Sequence, residues 1–139
     1  MQKRQITMLS AMLVLIVLAL LAIPAAAMAE DGIAPYLTYI EDAEVTMNIT
    51  ETTATVDAWV KGDWIYATKA KIIAELQVKN GSNWIPVAIW TDTQDGFKAH
   101  VYETKSVVKG HTYRVKATGT IWEGSQSETV TFYTDEDVA

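Results

Sequence analysis

The chain of 139 residues contains no cysteine. That excludes disulfide staples, a thiolate nucleophile and cysteine-ligated zinc. It also removes the cysteine that a lipid-anchored bacterial protein needs just after its apolar leader. Histidine is scarce too: His100 and His111 are the only two. A general base or a metal site needs partners gathered around one of them. Neither has companions at helical spacing, so both read as structural or solvated side chains, and no metal ligand is assigned. No Gly-x-Ser-x-Gly elbow and no phosphate-cradling glycine loop occur, which leaves the nucleophilic routes empty. Basic residues are few as well, 11 against 17 acids, for a net charge of −6. Affinity for a phosphate backbone comes from Lys and Arg, so nucleic acid is excluded as a partner.

What is present begins with one long apolar run. Lys3 and Arg4 open the chain, Met8–Ile23 is almost unbroken apolar sequence, and Pro24 ends it. Ala27-Met28-Ala29 then supplies small residues at both outer positions of a cut site. Residues 1–29 therefore read as a secretory signal peptide, and the product as secreted or extracellular. The alternative is an uncleaved segment that anchors the protein in the membrane, although the run is shorter than the roughly 20 residues of a comfortable span. Losing Lys3 and Arg4 would take the formal charge from −6 to −8. Small eukaryotic secreted domains are usually rich in disulfides, so the missing cysteines point to a bacterial source. The sequons at Asn48 and Asn80 would matter only on a eukaryotic route.

The remainder alternates like strands. Residues 30–44 are acidic and irregular and read as an extended arm. Val45–Ile49, Ala54–Val60 and Ile72–Val78 alternate apolar with polar, and Asn80-Gly81 signals a tight hairpin of type I′. Trp84–Trp90 returns, with Pro86 marking an edge strand. Asp95-Gly96 turns into Phe97–Val107. Tyr113–Ile121 is the cleanest alternation, with Tyr113, Val115, Ala117 and Ile121 on one face and Arg114, Lys116, Thr118 and Thr120 on the other. Gly124-Ser125 leads into Thr129–Thr134, where Val130 and Phe132 face in and Thr120 is expected opposite Thr129. About seven short strands at this spacing give an all-β fold, an antiparallel two-sheet sandwich over residues 45–134. Lys61–Lys71 is the one stretch where a short helix fits, and residues 135–139 read as a solvated acidic tail.

From Val107 onward the sequence resembles the end of a fibronectin type III domain. Val107-x-x-Gly110-x-x-Tyr113-x-Val115-x-Ala117, then Gly124-Ser125 and a last strand to Thr134, carries the resemblance. It implies that Tyr113 forms a tyrosine corner, its hydroxyl tying the strand back to the loop that contains Gly110. Leu76-Gln77-Val78 and Trp84-Ile85-Pro86-Val87 are similar to that family's third strand and the edge strand after it. The second strand departs from the pattern: the in-phase position is Ala58, with Trp59 one step off. Either a bulge turns Trp59 inward, or the domain is a more distant immunoglobulin-like relative. The chain also resembles small exported proteins of Gram-positive bacteria grouped as a domain of unknown function. That likeness rests on Pro35-Tyr36, Leu76-Gln77, Trp84, Trp90, Gly110, Tyr113-Arg114 and Glu128, and it implies location and fold but no activity.

Asp92–Gly96 invites a calcium reading. With Gly96 at the sixth loop position, Thr91 and Tyr102 fall where carboxylates are required, so the motif fails. The stretch reads as a hairpin turn with solvating acids. The aromatics offer more. Parity puts Trp122 and Tyr133 on the outer face of the last two strands, with Trp84 or Trp90 extending the row. Such rings could stack on a sugar or grip an apolar peptide; alternatively, Trp84 and Trp90 cap the core edge. The expectation is an exported, non-catalytic binding module without a cofactor. Its partner is an extracellular glycan or cell-surface protein, and any membrane contact is through the leader alone. The runner-up is an assembly component pairing through an edge strand, and an enzyme comes third.

Overall fold

Period-two alternation with β-branched residues on the buried side is what a half-covered antiparallel strand requires. A computed structural model describes residues Leu37–Ala139 as one such unit. The assigned leader and residues 30–36, Pro35-Tyr36 included, lie outside the described residues. The strands are β1 (Ile40–Thr50), β2 (Thr53–Gly62), β3 (Lys69–Asn80), β4 (Asn83–Asp95), β5 (Lys98–Ser106), β6 (Thr112–Glu123), β7 (Gln126–Tyr133) and the short β8 (Asp137–Val138). They form two antiparallel sheets, β1-β2-β5 and β4-β3-β6-β7, with β8 added to β6. The fold is thus an all-β sandwich of two sheets.

Each sheet turns one face inward. β2 supplies Ala54, Val56, Ala58 and Val60, and β3 supplies Ala70, Ile72, Ala74 and Leu76. β6 adds Tyr113, Val115, Ala117 and Ile121, and β5 adds Ala99 and Val101. Many of these are alanine or valine, and Gly119 lies against Val60 of the opposite sheet. Val130, Phe132 and Trp90 pack against this core from the margins. No buried side-chain nitrogen or oxygen among the described residues lacks a partner.

The β6–β7 ladder has the expected register, Thr120 opposite Thr129 and Lys116 opposite Tyr133. Tyr113 is buried, and its hydroxyl accepts a 2.8 Å hydrogen bond from the Val108 amide. Trp59 points outward, its ring under the Lys98 ammonium, because β2 runs through Ala58 and Val60 with no bulge.

Several local expectations are corrected. β1 begins at Ile40, so residues 40–44 of the supposed arm are strand, paired with Gly62–Trp59 across a bulge at Glu41. The β3–β4 turn is Gly81-Ser82, one residue later than expected. Only Gly81 has positive φ (61°), where a type II′ turn places its glycine. Lys61–Lys71 holds no helix: β2 runs to Gly62, a single turn follows, and β3 starts at Lys69. The acidic tail is not free, since Asp137 and Val138 pair with Tyr113 and Thr112, and Ala139 bonds Gly110 and His111.

The two ends of the sandwich differ. At one end lie the start of β1 and the turns β2–β3, β4–β5 and β6–β7. At the other lie the turns β1–β2 and β3–β4, the β5–β6 loop, and the C-terminal residues.

Candidate functional site

The outer face of β4-β3-β6-β7 carries the rings singled out from the sequence, but not as one row. Trp122 is opposite Ser127 near the end of β6, whereas Tyr133 is opposite Lys116. Six residues of β6 separate those positions, about 20 Å at strand rise. Trp84 and Trp90 share parity yet point to opposite sides. The ladder slips between Leu76 and Gln77, leaving Val87 as an extra residue in β4, so Trp90 pairs with Ala74 and turns to the core. A bulge of this kind reverses the side-chain phase. Trp90 therefore leaves the binding row, and Trp84 alone joins Tyr133.

Each remaining ring already has a cation on it. The Arg114 guanidinium lies 4.2 Å from the Trp84 centroid and 4.6 Å from that of Tyr133, wedged between β4 and β7. Its Nε donates to Gln77 Oε1, and Gln77 in turn bonds Glu75. Lys79 stands 5.5 Å from the Trp84 centroid and pairs with Glu136. Lys69 covers Trp122 at 5.1 Å. Continued in the same register, the ladder would set Arg114 opposite Asp135, but regular pairing stops at Tyr133, and Thr134 Oγ1 accepts the Val115 amide. Threonine pairs 118/131 and 120/129 fill the middle of the face. A ligand stacking on the covered side of these rings would have to displace a Lys or Arg side chain, although Tyr133 stays 50% exposed.

The exposed aromatic surface is elsewhere, on the β2–β3 turn. Trp64, Ile65 and Tyr66 are 73%, 61% and 62% exposed, three consecutive large apolar side chains in solvent. Phe97 is exposed on the adjacent β4–β5 turn, where its carbonyl accepts the Gly62 amide. The backbone beneath is well tied. Asp63 Oδ1 accepts the Ile65 amide, the Asp63 carbonyl accepts that of Ala67, and Ala67 is buried. Thr68 joins three turns: its amide and hydroxyl both donate to the Trp122 carbonyl, its carbonyl accepts the Gly96 amide, and its hydroxyl accepts the Gly124 amide. The side chains are therefore presented on a fixed platform. A short apolar run carries no sequence signal that separates an exposed turn from buried core.

The strand edges are each obstructed. β4 carries Pro86 and the Val87 bulge, and β1 has its bulge at Glu41. On β5, Asp92 Oδ2 accepts the His100 amide, a structural task for an acid read as merely solvating. Beside β7, the Glu128 carboxylate accepts the amides of Thr38, Tyr39 and Ile40, and Tyr39 Oη bonds Gln126. Burial opposes ionisation of Glu128, but those three amides outweigh it and hold the carboxyl below its ordinary value.

The histidines are not brought together. His100 Nε2 lies 2.8 Å from Asp57 Oδ1 on the open outer face of β1-β2-β5, while His111 is exposed in the β5–β6 loop. An open groove of about 440 Å³ runs between Val45–Met47 and Tyr133–Asp137. No group of acids or histidines among the described residues is arranged to hold a metal ion. Gly110, with positive φ (83°), turns the β5–β6 loop towards Tyr113 and bonds Ala139. No family model matches this chain, and no curated protein is similar to it.

Proposed function

We propose that the protein is an exported, non-catalytic binding module of bacterial origin whose contact surface is the loop end carrying Trp64, Ile65, Tyr66 and Phe97. One observation carries the reading: three consecutive large apolar side chains stand in solvent on a turn whose backbone is tied at Ile65, Ala67 and Thr68. Burying those side chains at an interface would release ordered water at little cost in chain entropy, because the platform is already fixed. Aromatic anchors of this type dominate binding energy at contact surfaces. Export rests on the leader-like residues 1–29. The strand order β1-β2-β5 against β4-β3-β6-β7, together with the Tyr113 tie, supports a fibronectin III-like reading of the sandwich. The absence of catalysis rests on the scattered histidines and the missing nucleophile motifs.

Pairing through an edge strand has less support, since proline, bulges and side-chain caps occupy each edge. The outer-face rings are weaker candidates than the loop end because Arg114 and two lysines already cover them. The test compares association of the secreted chain with the producing cells in three forms. These are the parent, Trp64→Ser/Ile65→Ser/Tyr66→Ser, and Trp122→Ala/Tyr133→Ala. Loss of association in the first variant but not the second is expected. Loss only in the second would return the site to the sheet face.

A further inference from the structure

We infer that Asn80 is a site of spontaneous covalent modification, where the Gly81 amide closes on the Asn80 carboxamide and expels ammonia. The site lies on the β3–β4 turn, at the end of the sandwich opposite Trp64-Ile65-Tyr66, and is independent of the contact surface proposed above. Of the three asparagines, Asn48, Asn80 and Asn83, only Asn80 precedes a glycine. The fold leaves that dipeptide open. Asn80, Gly81, Ser82 and Asn83 are all exposed, and nothing lies within 4 Å of where a Gly81 Cβ would be. Asn80 and Asn83 form the last pair of the ladder, so the Gly81 amide falls in the turn beyond it and takes no backbone acceptor among the described residues. Glycine also lets the tip peptide rotate freely towards the side chain. The other two asparagines lack this freedom. Asn48 is paired within β1–β2 and precedes Ile49, whose branched side chain crowds the attacking amide, and Asn83 precedes the bulky Trp84.

The reaction needs only water and hydroxide. Hydroxide takes the Gly81 amide proton, and the nitrogen attacks Asn80 Cγ. The new N–Cγ bond closes a cyclic succinimide, the Cγ–Nδ2 bond breaks, and ammonia leaves with a proton from solvent. Water then opens the ring at one of its two carbonyls. Opening at Cγ restores the ordinary backbone with aspartate at position 80. Opening at the α-carbonyl leaves Gly81 joined through the side chain, an isoaspartyl link with one extra backbone atom. Either product adds one negative charge to the formal −6. Only the isoaspartyl form disturbs the hairpin, because the added atom displaces the Asn80–Asn83 pair and then Lys79–Trp84. Trp84 is the ring that Lys79 and Arg114 cover, so the disturbance reaches the outer sheet face.

The experiment ages the full chain at mildly alkaline pH, folded in buffer and unfolded in urea, and follows each asparagine by peptide mapping and mass spectrometry. In the folded chain Asn80 should convert to aspartyl and isoaspartyl products about tenfold or more faster than Asn48 or Asn83, since only its neighbour lacks a Cβ. Its folded rate should lie close to the unfolded one. An Asn80 that stays intact when folded while the unfolded chain reacts overturns the inference, because the turn then protects the site. Asn80→Gln should abolish conversion in the hairpin, and a product that persists there would place the chemistry at Asn83 instead. Asn80→Asp supplies the charge without the extra atom. It should unfold in urea like the parent, whereas the isolated isoaspartyl form should unfold at lower urea. Equal midpoints for those two forms would overturn the loss of hairpin register.

Discussion

Gly119 occupies an inward position of β6, in the row of Tyr113, Val115, Ala117 and Ile121, and it sets how closely the two sheets approach. A Cβ there would lie 2.8 Å from Val60 Cγ2 and 2.9 Å from Val60 Cβ, atoms of a stiff branched side chain that cannot swing away. Gly119→Ala should therefore cost about 1–3 kcal/mol by overpacking. Val60→Ala should relieve part of it, so the double variant should be more stable than the sum of the single losses implies. Urea unfolding of all four forms measures this, and strict additivity would separate the two residues. Tyr113 acts through its hydroxyl. Tyr113→Phe leaves the Val108 amide without its acceptor and should cost about 1 kcal/mol in the same assay. The inward face of β6 was legible from alternation, and the Tyr113 tie was implied only by the resemblance to the end of a fibronectin type III domain. Gly119 was not legible, because glycine carries no hydropathy and interrupts the pattern it belongs to.

Among elements, β1 shows what alternation misses. Ile40–Glu44 is too acidic to read as strand, and it becomes one because β2 pairs with it and Glu128 on β7 caps the amides just before it. That cap titrates. Glu128 is held below its ordinary value, so its contribution is fully present above the unfolded pKa, near 4.5, and is lost as pH falls through the lower folded value. Glu128→Gln should remove this acid-side component and leave a stability profile flatter below pH 5. Hydrogen exchange at Thr38–Ile40 should rise in that variant even at neutral pH. Unchanged exchange at those amides would detach the chain entry from β7. The same limit explains β8, whose Asp137 and Val138 join β6 only through tertiary pairing. It explains the tryptophans of β4 as well: Trp84 and Trp90 have equal parity in sequence, and only the Val87 bulge sends one out and the other in.

For the molecule as a whole, the two-sheet sandwich was readable in strand number, turn spacing and the β6–β7 register, all of which are local signals. The contact surface was not. Hydropathy alone does not tell a buried apolar triplet from an exposed one, and Trp64-Ile65-Tyr66 is exposed because its turn lies beyond the last layer of the core. Replacing each of the three with serine should change unfolding free energy by no more than about 0.5 kcal/mol per site, as for ordinary surface positions. Calorimetry on the triple variant checks this, and a large loss would make the tip part of the core. The placement of the two chain ends has a mechanical side. Entry is at the loop end and residues 137–139 are pinned at the far end, so tension between them acts along the strands. The β1–β2 and β6–β7 hydrogen bonds lie across that pull and must fail together in shear, not one by one as in a zipper. A molecule held at a surface by its start and tugged from its tail would resist as a sliding joint.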